Sequence, residues 1–224
     1  SALKGDNVVH KGENMGWYEG PTLLHHLENV NVGATRNMVD FRFPVQSVIR
    51  PHQDFRGFAG QIASGSIQPG EEVVVLPSGR QSKVKAVVSF EAELEEAFAG
   101  DSVILTLEDE LDVSRGDMIV RMRNLPQVAN QLECTLCWMN EEPMNPKGSY
   151  ILQHNTRQVR AYITELNYRI DVDTLHREAT ETLHLNEIGR ARITTTQPLF
   201  FDPYALNRAT GSFILIDPTS NTTV

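Results

Sequence analysis

Two cysteines, Cys134 and Cys137, are the first residues whose spacing could do chemistry. A C-x-x-C pair holds zinc only with two further ligands, and exchanges disulfides only if its thiols can meet. The chain has no other cysteine. The stretch LECTLCWM alternates like a strand, with Leu132, Cys134, Leu136 and Trp138 on one face and Cys137 on the other. The thiols are therefore expected to point apart and stay free, as suits a reducing cytoplasm.

The seven histidines form no H-E-x-x-H motif. His25 and His26 are neighbours on a short helix-like stretch, and adjacent helical positions do not share a face. His154 ends the strand-like YILQH and reads as a hydrogen-bonder at a surface or interface, while His176 and His184 stand alone. Ser64, in A-S-G-S, lies between strands and reads as turn chemistry, with no G-x-S-x-G elbow around it. The carboxylates Glu91, Glu93, Glu95 and Glu96, and the stretch Glu108-Asp109-Glu110 with Asp112, read as solvated loop faces without a Gly-kinked calcium pattern. A phosphate-cradling loop needs G-x-x-x-x-G-K-[ST], and none of the fifteen glycines precedes a lysine. Asn-Lys-x-Asp is absent too, and the single D-x-x-G, Asp54 to Gly57, has no phosphate loop upstream. No catalytic residue, metal site or cofactor is expected within these residues.

The elements that would carry such residues are nearly all strands. Residues 1–20 read as loop, and TLLHHLENV predicts one short helix over 21–29, with Pro21 in its first turn and Leu23, Leu24 and Leu27 on one face. From residue 39 the period becomes two: Val39, Phe41 and Phe43 point one way, Glu72 to Leu76 is a buried-type strand, and Val84, Ala86 and Val88 share a side. Strands at 102–107 and 116–122 complete a set of six in a run punctuated by glycine, which predicts a small closed barrel. After the linker-like NLPQV, strands are expected at 131–139, 149–154, 157–166, 189–196 and 212–217, predicting a second barrel. The segment 171–188 is polar with Leu175, Leu183 and Leu185 as anchors, and PLFFDPYALNR, 198–208, reads as a Pro-bracketed loop. The domains expected are 1–30, 31–123 and 124–224. The fold class is all-β: two consecutive small closed β-barrels preceded by a short helical remnant.

Charge bounds the partners. The chain of 224 residues carries a net charge of −9, spread over those three segments as −2, −4 and −3. No segment has the basic excess that binding to a phosphate backbone requires, and no run is apolar enough to span a membrane. Nucleic-acid and membrane partners are not expected.

Several phrases carry a family resemblance. DFRGFAGQIASGSIQPGEEVVVLPSGRQSKVKAV, 54–87, with Gly60, Ile62, Gly65, Ile67, Gly70, Glu71 and Val73, resembles the second domain of translation-factor-type GTPases. AGDSVILTL and SRGDMIV match that domain's closing strands, and 148–171 is similar to the third domain. GDNVVHKGENMGWYEGPTLLHHLENV, DFRGFAGQIASG and NRATGSFILIDPTSNTTV narrow the resemblance to the large, GTP-hydrolysing subunits of bacterial sulfate adenylyltransferase.

The resemblance implies that 1–30 is the tail of a GTPase domain, and that the chain begins, without Met, at a cut. It implies a nucleotide contact at Ser1, Ala2 and Leu3, which match the last guanine-contact loop of the class. GTP and Mg²⁺ belong to the full-length protein, and no cofactor is held by these residues alone. The parent complex would be a cytoplasmic nucleotidyltransferase of sulfate assimilation and cysteine biosynthesis. It would make adenosine 5′-phosphosulfate from ATP and sulfate, coupled to GTP hydrolysis. The partners implied are a small catalytic adenylyltransferase subunit and the chain's own GTPase domain. The barrels alone are expected to be inactive and to act as a partner-binding and coupling module. The alternative is a translation elongation factor-like GTPase whose barrels bind aminoacylated RNA. Leu199, Phe200, Phe201 and Tyr204 are the candidate partner interface, and a plug for a barrel end is the competing reading of the same residues.

Overall fold

The computed structural model describes residues 1–30, 37–52, 55–90 and 92–224. Asp54 and Glu91 lie outside that set, as do residues 31–36, which follow the expected boundary after residue 30. The chain divides into two compact units, Ser1–Arg36 and Asn37–Val224. In the first, a 3-10 turn spans Glu13–Met15 and one helix, α1, spans Leu23–Asn29. Thr22 caps α1 by accepting a hydrogen bond from the His25 amide at 3.4 Å, so Pro21 lies just before the helix and not inside its first turn. Leu23, Leu24 and Leu27 are all exposed.

In the second unit, residues 42–121 form β1 (Arg42–Pro44), β2 (Ser47–Ile49), β3 (Gly57–Gln61), β4 (Ser66–Ile67), β5 (Glu72–Leu76), β6 (Arg80–Val88), β7 (Glu93–Leu94), β8 (Ala97–Phe98), β9 (Ser102–Leu107) and β10 (Met118–Arg121). The main sheet runs β1-β10-β5-β6-β9-β3-β2. Its two ends are one stretch of chain, because only Val45 and Gln46 separate β1 from β2. The Val45 amide bonds to Asp117 O on the β10 side, and the Gln46 amide to Ala59 O on the β3 side, both at 2.9 Å. The circuit therefore closes, and closure removes the free edges of the sheet. Inside lie Phe41, Phe43, Val45, Phe58, Ile62, Ile67, Val73, Val75, Val84, Val87 and Leu105. Gly65 has φ +72°, and a Cβ there would meet the Phe41 backbone at 2.6 Å, so glycine alone lets these segments cross.

Residues 127–216 form the second sheet: β11 (Gln127–Cys137), β12 (Ser149–His154), β13 (Arg157–Ile170), β14 (Arg177–Glu178), β15 (Ile188–Phe201) and β16 (Ile214–Ile216). Its path is β11-β15-β13-β12-β16, with β14 beside β13. The register of β13 on β15 shifts twice, at Ile163/Glu165 and Leu166/Tyr168, and such bulges bend a sheet round its core. That core holds Leu136, Trp138, Met144, Leu152, Val159, Ile163, Leu183, Ala191, Ile193, Leu199 and Leu215. A cleft of about 980 Å³ lies along the seam between β11 and the 211–215 and 223–224 segments. In the polar segment 171–188, Leu183 is buried while Leu175 and Leu185 are exposed.

Candidate functional site: the junction of the two barrels

Arg42 alternates with Phe41 and Phe43, so its side chain leaves the first barrel's interior on the opposite face of β1. It is nonetheless only 2% exposed, because residues 200–210 of the second barrel cover it. Its guanidinium grips Asp202 along one edge: Nε donates to Oδ2 at 2.9 Å and Nη2 to Oδ1 at 2.8 Å. Nη1 donates to the Phe41 carbonyl at 2.9 Å and to the backbone and side-chain oxygens of Asn124 at 2.8 and 2.7 Å. A planar fork on a carboxylate fixes direction as well as distance, which lysine could not do.

The remaining capacity of Asp202 is also filled. Thr210 Oγ1 donates to its Oδ2 at 2.7 Å, and Asn207 Nδ2 approaches the same oxygen at 3.4 Å. Asn207 Nδ2 also donates to Ser64 Oγ at 2.8 Å, and Ser64 Oγ donates to the Asp40 carbonyl at 2.5 Å. Ser64 is thus a buried link between the barrels, where the sequence suggested turn chemistry. Asp40 takes Asn124 Nδ2 on one oxygen and Asn37 Nδ2 on the other, and Asn37 Nδ2 reaches Leu206 O at 3.3 Å. Burial pushes the Asp40 carboxyl up, but the two amide hydrogen bonds and the Arg42 charge outweigh it and hold it below its ordinary value.

His154, also buried, closes the network from β12. Its Nε2 donates to the Thr210 carbonyl at 2.8 Å. Burial pushes its pKa down, against the pull of the Thr210 carbonyl and of Asp202, so the ring is neutral at pH 7.

Beside this polar joint lies an apolar one. Phe200, on the outward side of β15, packs with Val74, Leu76, Met118 and Val120 of β5 and β10. The Arg157 guanidinium carbon sits 5.0 Å from the Phe200 ring centre, and its Nη2 donates to Gln197 Oε1 at 2.9 Å. Arg157 also approaches Gly116 O, at 3.4 Å, on the first barrel. A desolvated ionic fork and a buried aromatic, both crossing one interface, resist sliding and hinging together.

The four residues of the expected 198–204 interface occupy different places. Leu199 lies in the second barrel's core, Phe200 in the junction, and half-buried Phe201 against that same core. Tyr204 is 57% exposed, with Arg208 over its ring. Residues 198–201 are strand, not loop, and strand alternation is what sends Leu199 and Phe200 opposite ways. Ser1, Ala2 and Leu3 lie in an exposed turn held by Gly5 N to Ser1 O at 2.8 Å. Cys134 and Cys137 are both free; burial pushes the Cys134 thiol up to about 12, and Cys137 is exposed. Among the described residues no group of three or more His, Cys, Asp or Glu could hold a metal ion. No helix of the described residues is long and apolar enough to cross a membrane.

Arg42, Asp202, Asn124, Asn207 and Thr210 were not legible as a site. Arg42 and Asp202 lie 160 residues apart, and spacing carries no signal at that range. The one available hint is a charged residue inserted between two core phenylalanines.

The comparisons with known proteins agree with this fold. Residues 131–224 match the GTP-eEF1A C-terminal domain-like family. The whole chain is 53% identical to 35% of the "Bifunctional enzyme CysN/CysC" of Rhodopirellula baltica. It is 52% identical, again over its full length, to 47% of "Sulfate adenylyltransferase subunit 1" of Bacteroides fragilis. The chain thus spans about half, or less, of the length of these curated relatives. Among solved structures, Sup35 complexed with GDP superposes with a TM-score of 0.75 at 21% identity, covering all of this chain and 55% of that one. At that identity the likeness concerns the fold.

Proposed function

We propose a function from one premise: the chain belongs to the family of sulfate adenylyltransferase subunit 1. On this reading its two barrels are the coupling body of the enzyme's GTP-hydrolysing subunit. The complete enzyme joins ATP and sulfate into adenosine 5′-phosphosulfate and pyrophosphate in the cytoplasm, and GTP hydrolysis drives that uphill step. A small catalytic subunit performs adenylyl transfer. GTP and Mg²⁺ are held by the GTPase domain, to which Ser1, Ala2 and Leu3 contribute a guanine contact. The barrels bind the catalytic subunit and transmit a rigid-body movement to it.

The observation that carries this reading is the buried Arg42–Asp202 fork, flanked by Phe200, which ties the two barrels into one body. A body that carries a displacement between sites must not absorb it in an internal hinge. The structural likeness to translation factors is one of fold, and the chain's −9 charge disfavours the RNA-binding alternative.

The test is to assay the chain alone for GTP hydrolysis and for sulfate activation, and then for binding to the purified small subunit. Expected are no turnover in either assay and a stable complex. Turnover by the chain alone, or failure to bind the small subunit, would overturn the reading.

A further inference from the structure

The segment from Ser89 to Asp101 uses its apolar residues in an unusual way. β7 pairs with β6, and β8 with β4, so both short strands are fixed to the first barrel. Leu94 packs against the barrel core and Ala97 is fully buried. These small anchors hold the segment, while its two phenylalanines are left outside. Phe90 is 104% exposed at the tip of the β6–β7 hairpin, and Phe98 is 44% exposed on β8.

Hydrogen bonds flank both aromatics. Ser89 N donates to Ala92 O at 2.8 Å, and Ala92 N donates to Ser89 Oγ at 3.2 Å. The Phe98 amide donates to Asp101 Oδ2 at 2.8 Å, which fixes the following turn. An aromatic presented on a fixed frame loses little entropy when a partner covers it.

The charges within the segment itself are of one sign. Glu93 and Glu95, which lie between the two phenylalanines in sequence, are exposed, Glu96 is half-buried, and the sequence from Ser89 to Asp101 contains no lysine or arginine. The nearby cation Arg121 is engaged by Glu71, with Nη2 to Oε1 at 3.0 Å. The carboxylates repel phosphate backbones and anionic lipid, so the two rings suit neither nucleic acid nor a membrane.

We propose that Phe90 and Phe98, with Glu93 and Glu95 between them, form a docking surface for a protein face that carries apolar pockets rimmed by lysine or arginine. This rests on the family reading above, under which that protein is the small catalytic subunit. The two rings supply the buried anchors, and the carboxylates set orientation and association rate.

The experiment measures the affinity of the whole protein for the purified small subunit, in wild type, Phe90→Ala, and Glu93→Lys with Glu95→Lys. Phe90→Ala is expected to weaken binding by about tenfold or more, the effect of losing an interface anchor. The double lysine variant is expected to slow association and to lose most of the salt dependence. Thermal midpoints should stay at the wild-type value, because the Phe90 ring packs on nothing. Wild-type affinity in both variants overturns the docking surface and leaves the family reading standing. No binding by the wild type overturns both.

Discussion

Replacing Arg42 with methionine tests the junction most severely. Methionine keeps the aliphatic reach of the side chain but removes the guanidinium. Asp202, itself buried, would keep only the Thr210 hydroxyl and the weak Asn207 contact, and both Asn124 oxygens facing Nη1 would lose their donor. Removing one partner of a buried pair typically costs about 3–5 kcal/mol, against about 0–1 kcal/mol for an exposed pair. With a urea m-value of about 2–3 kcal/mol/M, a loss of about 4 kcal/mol lowers the unfolding midpoint by about 1.3–2 M. The assay is urea denaturation of wild type, Arg42→Met, Asp202→Leu and the double variant. The double variant should be more stable than Arg42→Met alone, since no charge is then left buried without a partner. A midpoint shift in Arg42→Met no larger than a surface pair gives would refute the argument that this fork is desolvated and holds the barrels together.

Three further outcomes follow from the geometry. Phe200→Ala should cost about 3–5 kcal/mol by the same denaturation assay, because its ring fills the contact with Val74, Leu76, Met118 and Val120; a loss under about 1 kcal/mol would mean that the ring is not packed there. His154 has its pKa depressed in the folded state, so below its ordinary value near 6.5 the unfolded chain takes up a proton that the folded chain resists. Stability should therefore fall as pH drops from about 7 toward 5.5, and His154→Gln, which can still donate to the Thr210 carbonyl, should flatten that slope; an unchanged slope contradicts the assignment. A thiol reagent at pH 8 should label exposed Cys137 and spare Cys134, whose thiol burial holds at about 12; mass mapping of the label decides, and labelling of Cys134 at an equal rate would be the opposite result.

Much of the architecture was legible because strand burial writes a period of two into the sequence. In EEVVVLPSGRQSKVKAVV the run of β5 and the glycine after it are visible, but in β6 a register shift between Val84 and Ala86 buries Val87, where the period puts Ala86 and Val88 on the side of Val84. The end of β15 was not legible, because Pro198 and Pro203 bracket it like a loop. The structure explains the exception: β13 pairs with β15 only as far as Thr195, and β11 rejoins β15 at Leu199. Pro198 sits in the irregularity between them, where a missing N–H removes no ladder bond. The α1 residues Leu23, Leu24 and Leu27 share an apolar pattern yet are exposed, which the period alone could not foretell. The junction was illegible for another reason. A buried Arg–Asp fork between distant segments looks, in sequence, like two ordinary surface charges, and only the second barrel's placement turns them into a joint.

If, as proposed, the joined barrels carry the effect of GTP hydrolysis to a catalytic subunit, loosening their junction must uncouple the two activities. Arg42→Lys tests it most directly, because it retains the charge while losing the two-pronged grip on Asp202. The measurement is adenosine 5′-phosphosulfate formation by the assembled enzyme, with and without GTP, alongside GTP hydrolysis in the same samples. Arg42→Lys is expected to continue hydrolysing GTP while GTP stimulates sulfate activation far less than in wild type. Full stimulation in a variant whose junction has measurably loosened would contradict the proposal.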